Sequence, residues 1–279
     1  MSYEFINAAQ EHGLIIDHII EGRWVRVPTE DHPHSKNGAY FFAGEFGHIQ
    51  NWATMEKTET WFTNKVMTPV QREALMVRIQ KSRDDERQIR IKKMKDAAKR
   101  AEWILSQCEL DKHAYLDSKG FPDLTGNVWR KEGAEPLLVI PMMHREWLVG
   151  VQLIDIHGDK KFLSGQRTND TSFQIGRGSK VFLCEGYATG LSLQALLAAL
   201  KVDYTIHVCF SAGNVARWAK NLPNAFLVCD NDVSGTGQKV GAESGCKWWM
   251  SPIEGEDIND LQRRVGKFTA SQMLKKELM

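Results

Sequence analysis

The sequence predicts an α/β protein: a C-terminal, mostly parallel sheet with flanking helices, preceded by a mixed α+β subdomain, a long charged helix and a small N-terminal α+β module. Three observations carry that prediction. Over residues 180–279 short apolar runs alternate with helical stretches, the pattern of a parallel sheet covered by helices. Residues 70–107 contain no Gly or Pro and are rich in strong helix formers. Residues 1–69 hold aromatic-rich runs between turn residues, as short strands do.

The N-terminal module opens with MSYEFINAAQEHG, a short amphipathic helix, and GRWVRV, GAYFFAG and GHIQNWA follow as strands, with a turn at Lys36-Asn37-Gly38. Trp24, Tyr40, Phe41, Phe42, Trp52 and Trp61 read chiefly as core, with a base-stacking face as the functional alternative. His32, His34 and His48 have no paired thiolate, so no zinc is expected. Residues 70–107 read as one connecting helix, with a break expected near Ser82 to Asp85. Its thin apolar stripe is Leu75, Ile79, Ile89, Met94, Ala97, Ala101 and Ile104. Over 108–179 a turn at Lys119-Gly120 precedes three strands, PLLVIPMM, EWLVGVQLIDIHG and KKFLSG, the last two joined by a tight hairpin at His157-Gly158-Asp159.

In 180–279, KVFLCEGYATG is a buried strand ending at Glu185-Gly186 and followed by the helix LSLQALLAAL. YTIHVCFSAGN is a second strand, with a turn at Ser211 to Asn214 and a helix to about Leu222. AFLVCDNDVSGTG is a third, stopping at Asp230-Asn231-Asp232, with a helix from near Gln238. KWWMSP, the acidic loop EGEDIND and one or two terminal helices complete the chain.

Composition sets the limits. With 279 residues, 42% hydrophobic and 25% charged, the chain is an ordinary globular one, and its apolar runs are far short of the roughly 20 residues that cross a bilayer. The N-terminus lacks the basic, apolar and small-residue succession of a secretory signal, so a cytoplasmic location is expected. Cys108, Cys184, Cys209, Cys229 and Cys246 are odd in number and form no CxxC, which points to buried free thiols. The net charge of +1 is a sum of opposites: −4 over 1–69, +5 over 70–107, −1 over 108–179 and +1 over 180–279. It excludes only a uniformly basic coat; the basic helix is either a solvated spacer or a phosphate contact.

Chemistry concentrates in the last third. Ligands of open α/β sheets sit beyond the carboxyl ends of the strands, and Glu185, Asp230 and Asp232 all occupy such ends. Residues two apart in an extended segment point the same way, so Asp230 and Asp232 can face one site. Carboxylates about 4 Å apart repel by roughly 4 kcal/mol at an effective dielectric of 20. Three of them demand a cation or a proton, and hard oxygen donors without His or Cys favour Mg²⁺. Gly186, Gly235 and Gly237 are expected to leave the backbone open to a phosphate ligand. The alternative reading makes these acidic residues turn and helix caps.

EGYATG at 185–190 followed by DNDVSGTG at 230–237 resembles the Toprim domain, in the EGYAT form found in primases of plasmids, satellite phages and integrated elements. The similarity runs from 180 to about 262 and includes GEDIND at 255–260, similar to the third acidic patch of that family. HAYLDSKGF at 113–121 and LLVIPMMHREWLVGVQLIDIHGDKKFLSGQRT at 137–168 more weakly resemble the subdomain that precedes Toprim in these primases. The resemblance implies a Rossmann-like Toprim domain at 180–279, a primase-type subdomain at 108–179, and a DNA primase making short primers on single-stranded DNA from NTPs.

It also implies roles. Glu185 becomes general base or acid and helps hold metal, Asp230 and Asp232 hold Mg²⁺ or Mn²⁺, and Asp257 and Asp260 serve a further metal. Lys119, Lys160, Lys161 and Arg167 lie in the matched segments and become candidates for neutralising template and triphosphate, with Arg145 and Lys239 as further candidates. Residues 1–69 contain no cysteine, so the zinc ribbon of many such primases is missing. There is no GxxxxGK[ST] loop, so a separate helicase or initiator is the expected partner.

Other readings compete. The same metal site could hydrolyse DNA as a Toprim nuclease, or the chain could be a non-catalytic single-stranded-DNA-binding accessory. FLVCDNDVSG also has the form of a phosphatase strand with Asp230 as nucleophile, although that motif normally opens its domain. A dinucleotide-binding reading fails because Val240 stands at the third glycine position.

Overall fold

The computed structural model describes residues 2–63 and 68–278, and the chain divides into two compact units, Met1–Glu86 and Arg87–Met279. In the first, helix α1 (Ser2–Glu11) precedes strands β1 (Trp24–Val27), β2 (Gly38–Phe42), β3 (Phe46–Asn51) and β4 (Glu59–Phe62). The strands form one antiparallel meander in that order. Alternate side chains leave opposite faces of a strand. Tyr40, Phe42 and Ile49 therefore meet Phe5 and Ala9 of α1, while Phe41 and Phe46 on the other face meet Leu75 and Ile79. The sequence-predicted aromatic set divides accordingly. Tyr40, Phe41 and Phe42 are buried, whereas Trp24 and Trp52 are 40% and 48% exposed, the latter beneath the Arg26 guanidinium at 4.0 Å.

Helix α2 (Pro69–Ser106) runs without interruption. The break expected near Ser82 to Asp85 is not there, because those residues are tolerated by a helix and Gln80 hydrogen-bonds Asp84 one turn on. Of the predicted stripe, Leu75, Ile79, Ala97, Ala101 and Ile104 are buried, whereas Ile89 is exposed.

The second unit has two sheets. The first is antiparallel throughout, in the order β5 (Cys108–Asp111), β6 (Gly126–Trp129), β7 (Leu137–His144), β8 (Trp147–Ile154) and β9 (Lys160–Phe162), with the short helix α3 (Ala114–Ser118) after β5. Ala101 and Ile104 pack on one face with Trp129, Val139, Val151 and Leu163.

The second sheet follows: β10 (Phe173–Gly176), β11 (Lys180–Cys184), α4 (Tyr187–Ala199), β12 (Tyr204–Val208), α5 (Ala212–Asn221), β13 (Phe226–Cys229), α6 (Thr236–Glu243), β14 (Lys247–Met250) and α7 (Ile258–Leu278). Its order is β10-β12-β11-β13-β14, parallel except for β10. Both faces are covered, so the strands read as continuous apolar runs. Phe182, Cys184, Phe226 and Val228 face the core that holds α4 and α7, while Leu183, Leu227 and Cys229 face the core that holds α5 and Cys246. All five cysteines are free and four are buried. Gly266 breaks α7 into two segments, with φ 80° and ψ 155°. No helix of the described residues is long and apolar enough to cross a membrane.

The two halves of this unit share a core: Tyr115, Leu116, Leu138, Ile140 and Ile154 pack with α4 and α7. Burying a large apolar side chain contributes about 1.5–3 kcal/mol, so this continuity holds the antiparallel sheet against the parallel one.

His207 on β12 lies on the other face of the parallel sheet, beside Trp218. Its ring stacks on Trp218 at 4.4 Å, its Nδ1 lies 3.0 Å from Ser172 Oγ, and burial pulls its pKa down from 6.5 to about 4. The unfolded chain therefore takes up this proton first, and stability present in full above about pH 6.5 is lost as the pH falls towards 4. His207→Asn is expected to reduce the loss between pH 7 and pH 4 by about 2 kcal/mol, measured by urea unfolding at both values.

Candidate active site

The chain leaves β11 through α4 on one face of the sheet and leaves the neighbouring β13 through α6 on the other. Connections that diverge in this way open a crevice at the carboxyl ends of the two strands. The strands are in register there, Cys184 opposite Val228, so Glu185, one residue past that pair, and Asp230, two residues past it, come to one rim.

A cavity of about 120 Å³ lies at this place, lined on the acidic side by Glu185, Asp230 and Asp257. Tyr115, Lys119, Gln152 and Lys160 enter from the antiparallel half, and Thr189 and Phe210 complete the wall. Thr189 stands one helical turn after Glu185, and its Oγ1 lies 3.5 Å from both Asp230 Oδ1 and Asp257 Oδ2. Asp257 Oδ1 accepts the Asp260 N–H at 2.8 Å and so closes the first turn of α7.

The electrostatics follow from that crowding. Burial, then Asp257 and Glu185, push the Asp230 carboxyl up to about 7 against the opposing pull of Lys160 and the Thr189 hydroxyl. Burial also raises Glu185, while Lys160 and the Ala212 N–H at the start of α5 oppose it and Asp232 adds to the rise. Two carboxylates raised in one cavity show negative charge that the chain's own cations do not balance. A hard divalent cation fits such a donor set.

The sequence-predicted residues divide in three. Glu185, Asp230, Asp257, Lys119 and Lys160 share the cavity. Asp232 does not line it: the strand ends at Cys229, and Asp232 is exposed, held below its ordinary pKa chiefly by the Ser234 hydroxyl. The expectation that extended geometry aims Asp230 and Asp232 alike thus gives way to a turn. Asp260 lies in the first turn of α7 outside the lining, and among the described residues no three His, Cys, Asp or Glu side chains are drawn together closely enough to hold a metal as they stand. Lys161, Arg145 and Lys239 are exposed on β9, at the β7–β8 turn and on α6.

Arg167 lines a different groove, of about 480 Å³, together with Arg90, Lys93 and Met94 of α2. It is paired with Asp170 at 3.1 Å. The loop that carries it is pinned to α5 by Asn214.

The glycines also differ from expectation. Gly235 is left-handed at φ 67° and opens α6, as a turn glycine does. Gly237 is not an opening for phosphate: a Cβ there would stand 2.1 Å from the Asp230 carbonyl oxygen, so it lets α6 press against the Asp230 peptide. Thr189, Tyr115, Gln152 and Phe210 were not singled out as site residues. Thr189 was legible as the fifth residue of EGYATG and Tyr115 within HAYLDSKGF, whereas Gln152 and Phe210 carried no signal of their own.

Residues 180–267 match the Toprim domain model. The Toprim segment thus supplies Glu185, Asp230, Asp257 and Thr189, and Tyr115, Lys119, Gln152 and Lys160 come from before it. Among solved structures, a chain of the assembly of bacteriophage T7 lagging-strand DNA polymerase with primase domains bound to an RNA/DNA hybrid and dTTP is similar at 12% identity and TM-score 0.40, over 62% of this chain and 88% of that one. A DNA primase domain from Pseudomonas aeruginosa is similar at 17% identity and TM-score 0.33, over 50% of each chain. The E. coli primase catalytic core is similar at 13% identity and TM-score 0.31, over 53% of this chain and 56% of that one. The chain thus spans about half the length of the last two. No curated protein sequence matches it.

Proposed function

We propose that the protein is a DNA primase, a nucleotidyltransferase that makes short oligonucleotide primers on single-stranded DNA from NTPs in plasmid, phage or other mobile-element replication. The observation that carries this reading is the composite cavity, in which Toprim carboxylates face two lysines from the preceding subdomain. A nuclease site needs only the carboxylates and their cation. A polymerising site must also receive a triphosphate, and Lys119 and Lys160 are placed to take its charge. The weak resemblance of residues 113–121 and 137–168 to the primase subdomain supports the same choice.

In this reading Glu185, Asp230 and Asp257 hold Mg²⁺ or Mn²⁺, with Asp232 and Asp260 at the margin. The cation supplies charge neutralisation at phosphate oxygens and a lower pKa for a bound hydroxyl. Glu185, with its raised pKa, accepts the proton of the attacking 3′-hydroxyl. The new bond joins that oxygen to the α-phosphorus, the bond to the β-phosphate oxygen breaks, and pyrophosphate leaves past Lys119 and Lys160. Thr189 keeps Asp230 and Asp257 on either side of one hydroxyl. Arg167, with Arg90 and Lys93, offers a basic groove for template phosphates. The functional division is 1–69, an aromatic, zinc-free module; 70–107, a connecting helix; 108–179, the primase-type subdomain; and 180–279, the Toprim catalytic domain. A separate helicase or initiator in the cytoplasm supplies unwinding.

The test is incubation with single-stranded DNA, labelled NTPs or dNTPs, and Mg²⁺ or Mn²⁺, beside an Asp230→Ala, Asp232→Ala control. Labelled oligomers made only by the unsubstituted protein support the reading. Release of mononucleotides from the DNA marks a nuclease, and DNA binding without either product marks an accessory.

A further inference from the structure

Two polar side chains in the carboxylate cavity have no use in the chain's own hydrogen bonding. Tyr115, from α3, is 1% exposed, and its hydroxyl is buried with no hydrogen-bond partner among the described residues. Gln152, from β8, is 4% exposed, and no hydrogen bond among the described residues engages its side-chain amide. Buried hydroxyls and amides are nearly always paired. The unpaired Tyr115 hydroxyl, with the Gln152 side chain lining the same cavity, points to a ligand that completes it.

The cavity sets the size and chemistry of that ligand. Its 120 Å³ leaves room for a cation with some of its water. Across from Tyr115 stand Glu185, Asp230 and Asp257, and Asp257 is near enough to act on the phenol electrostatically. Those carboxylates attract positive charge, while the phenolic proton seeks an oxygen lone pair. A cation that brings its own oxygen ligands satisfies both sides.

We propose that Tyr115, with Gln152 beside it, holds an oxygen ligand of a divalent cation bound at Glu185, Asp230 and Asp257, which makes Tyr115 a positioning residue for that cation. The inference rests on the carboxylate site proposed above and extends it to two residues outside the Toprim segment. Hydrogen bonds to the ligands of a metal fix their orientation, and their loss typically lowers metal affinity 10- to 100-fold.

The test is Mn²⁺ binding to the full chain, followed by electron paramagnetic resonance of the free ion, for the unsubstituted protein, Tyr115→Phe, Gln152→Leu and Asp230→Asn. Tyr115→Phe is expected to weaken Mn²⁺ binding about 10-fold, with its unfolding midpoint in EDTA unchanged or higher. Gln152→Leu is expected to weaken it in the same direction and serves as the readout if Tyr115→Phe does not fold. Unchanged Mn²⁺ affinity in Tyr115→Phe and Gln152→Leu, with binding lost in Asp230→Asn, overturns the inference and leaves the carboxylate site standing. Undiminished binding by Asp230→Asn overturns both. A lower unfolding midpoint with unchanged Mn²⁺ affinity marks Tyr115 as a prop for α4 and likewise overturns the inference.

Discussion

Asp230→Asn is expected to lower template-dependent nucleotide incorporation by roughly 10³-fold or more while making the metal-free protein more stable at alkaline pH. Both effects have one cause. Asp230 is crowded by burial and by Asp257 and Glu185, which lift its pKa from 3.8 to about 7. Below pH 3.8 the carboxyl is protonated in folded and unfolded chains alike and costs nothing. As the pH rises, the unfolded chain releases its proton first, so stability falls until about pH 7, where the folded form has ionised too. Three pH units correspond to at most about 4 kcal/mol; the open mouth of the cavity admits water, and about 2 kcal/mol is the expected cost at pH 8. Asparagine keeps the shape and removes the charge. It also removes an anionic oxygen from the proposed cation site, which is why activity falls as stability rises. Thermal unfolding at pH 5 and pH 8, with EDTA or with Mg²⁺, separates the terms: Mg²⁺ should stabilise the unsubstituted protein more than the variant at pH 8. Equal activity in the two proteins would remove Asp230 from the catalytic machinery.

Asn214→Ala is expected to destabilise the second unit by about 3 kcal/mol, and Asn214→Asp by more. The side chain is 4% exposed. Its amide nitrogen lies 3.0, 2.9 and 2.8 Å from the carbonyls of Thr168, Thr171 and Cys209, and its Oδ1 accepts the Asp170 N–H at 2.8 Å. Alanine takes the partner from the Thr171 and Cys209 carbonyls and the Asp170 N–H, at about 1–3 kcal/mol for each one left unsatisfied, while the Thr168 carbonyl keeps the Thr171 hydroxyl at 2.7 Å. Aspartate turns an anionic oxygen toward three carbonyls. Because the same loop carries Arg167, loss of the pin should also loosen the basic groove. The expected signature is a lower urea midpoint, faster amide exchange at Asp170 and Ser172, and weaker DNA binding with Mn²⁺ affinity retained. A variant as stable as the parent would show that the loop holds its place without the pin, through the two hydrogen bonds exchanged by the Met143 and Ser172 backbones, His144 on the Asp170 carbonyl and His207 beside the Ser172 hydroxyl.

Short strands were the least legible part of the fold. Glu59–Phe62 and Cys108–Asp111 have no residue buried to the degree of the central strands, so alternation gives no signal and only pairing to β3 and β6 makes them strands. Phe173–Gly176 is likewise an edge, antiparallel to β12, with Ile175 alone buried. The central strands were legible because two covered faces require unbroken apolar runs, as in Phe182 to Cys184 and Phe226 to Cys229.

The same contrast governs the site. Local order along the chain determined that Glu185 and Asp230 stand at strand ends, since an apolar run followed at once by an acidic residue and a glycine-rich turn has few other ways to bury itself. Tertiary structure alone decided that β11 and β13 are neighbours in register, that Asp257 and not Asp232 shares their cavity, and that Tyr115 and Lys119 of α3 and its C-cap, with Gln152 and Lys160 of the antiparallel sheet, close it. Burial patterns are local and period-bound, so they can be read one segment at a time. Convergence depends on strand order, on where a turn begins and on which helix a glycine such as Gly237 admits, and those are properties of packed neighbours far apart in the chain.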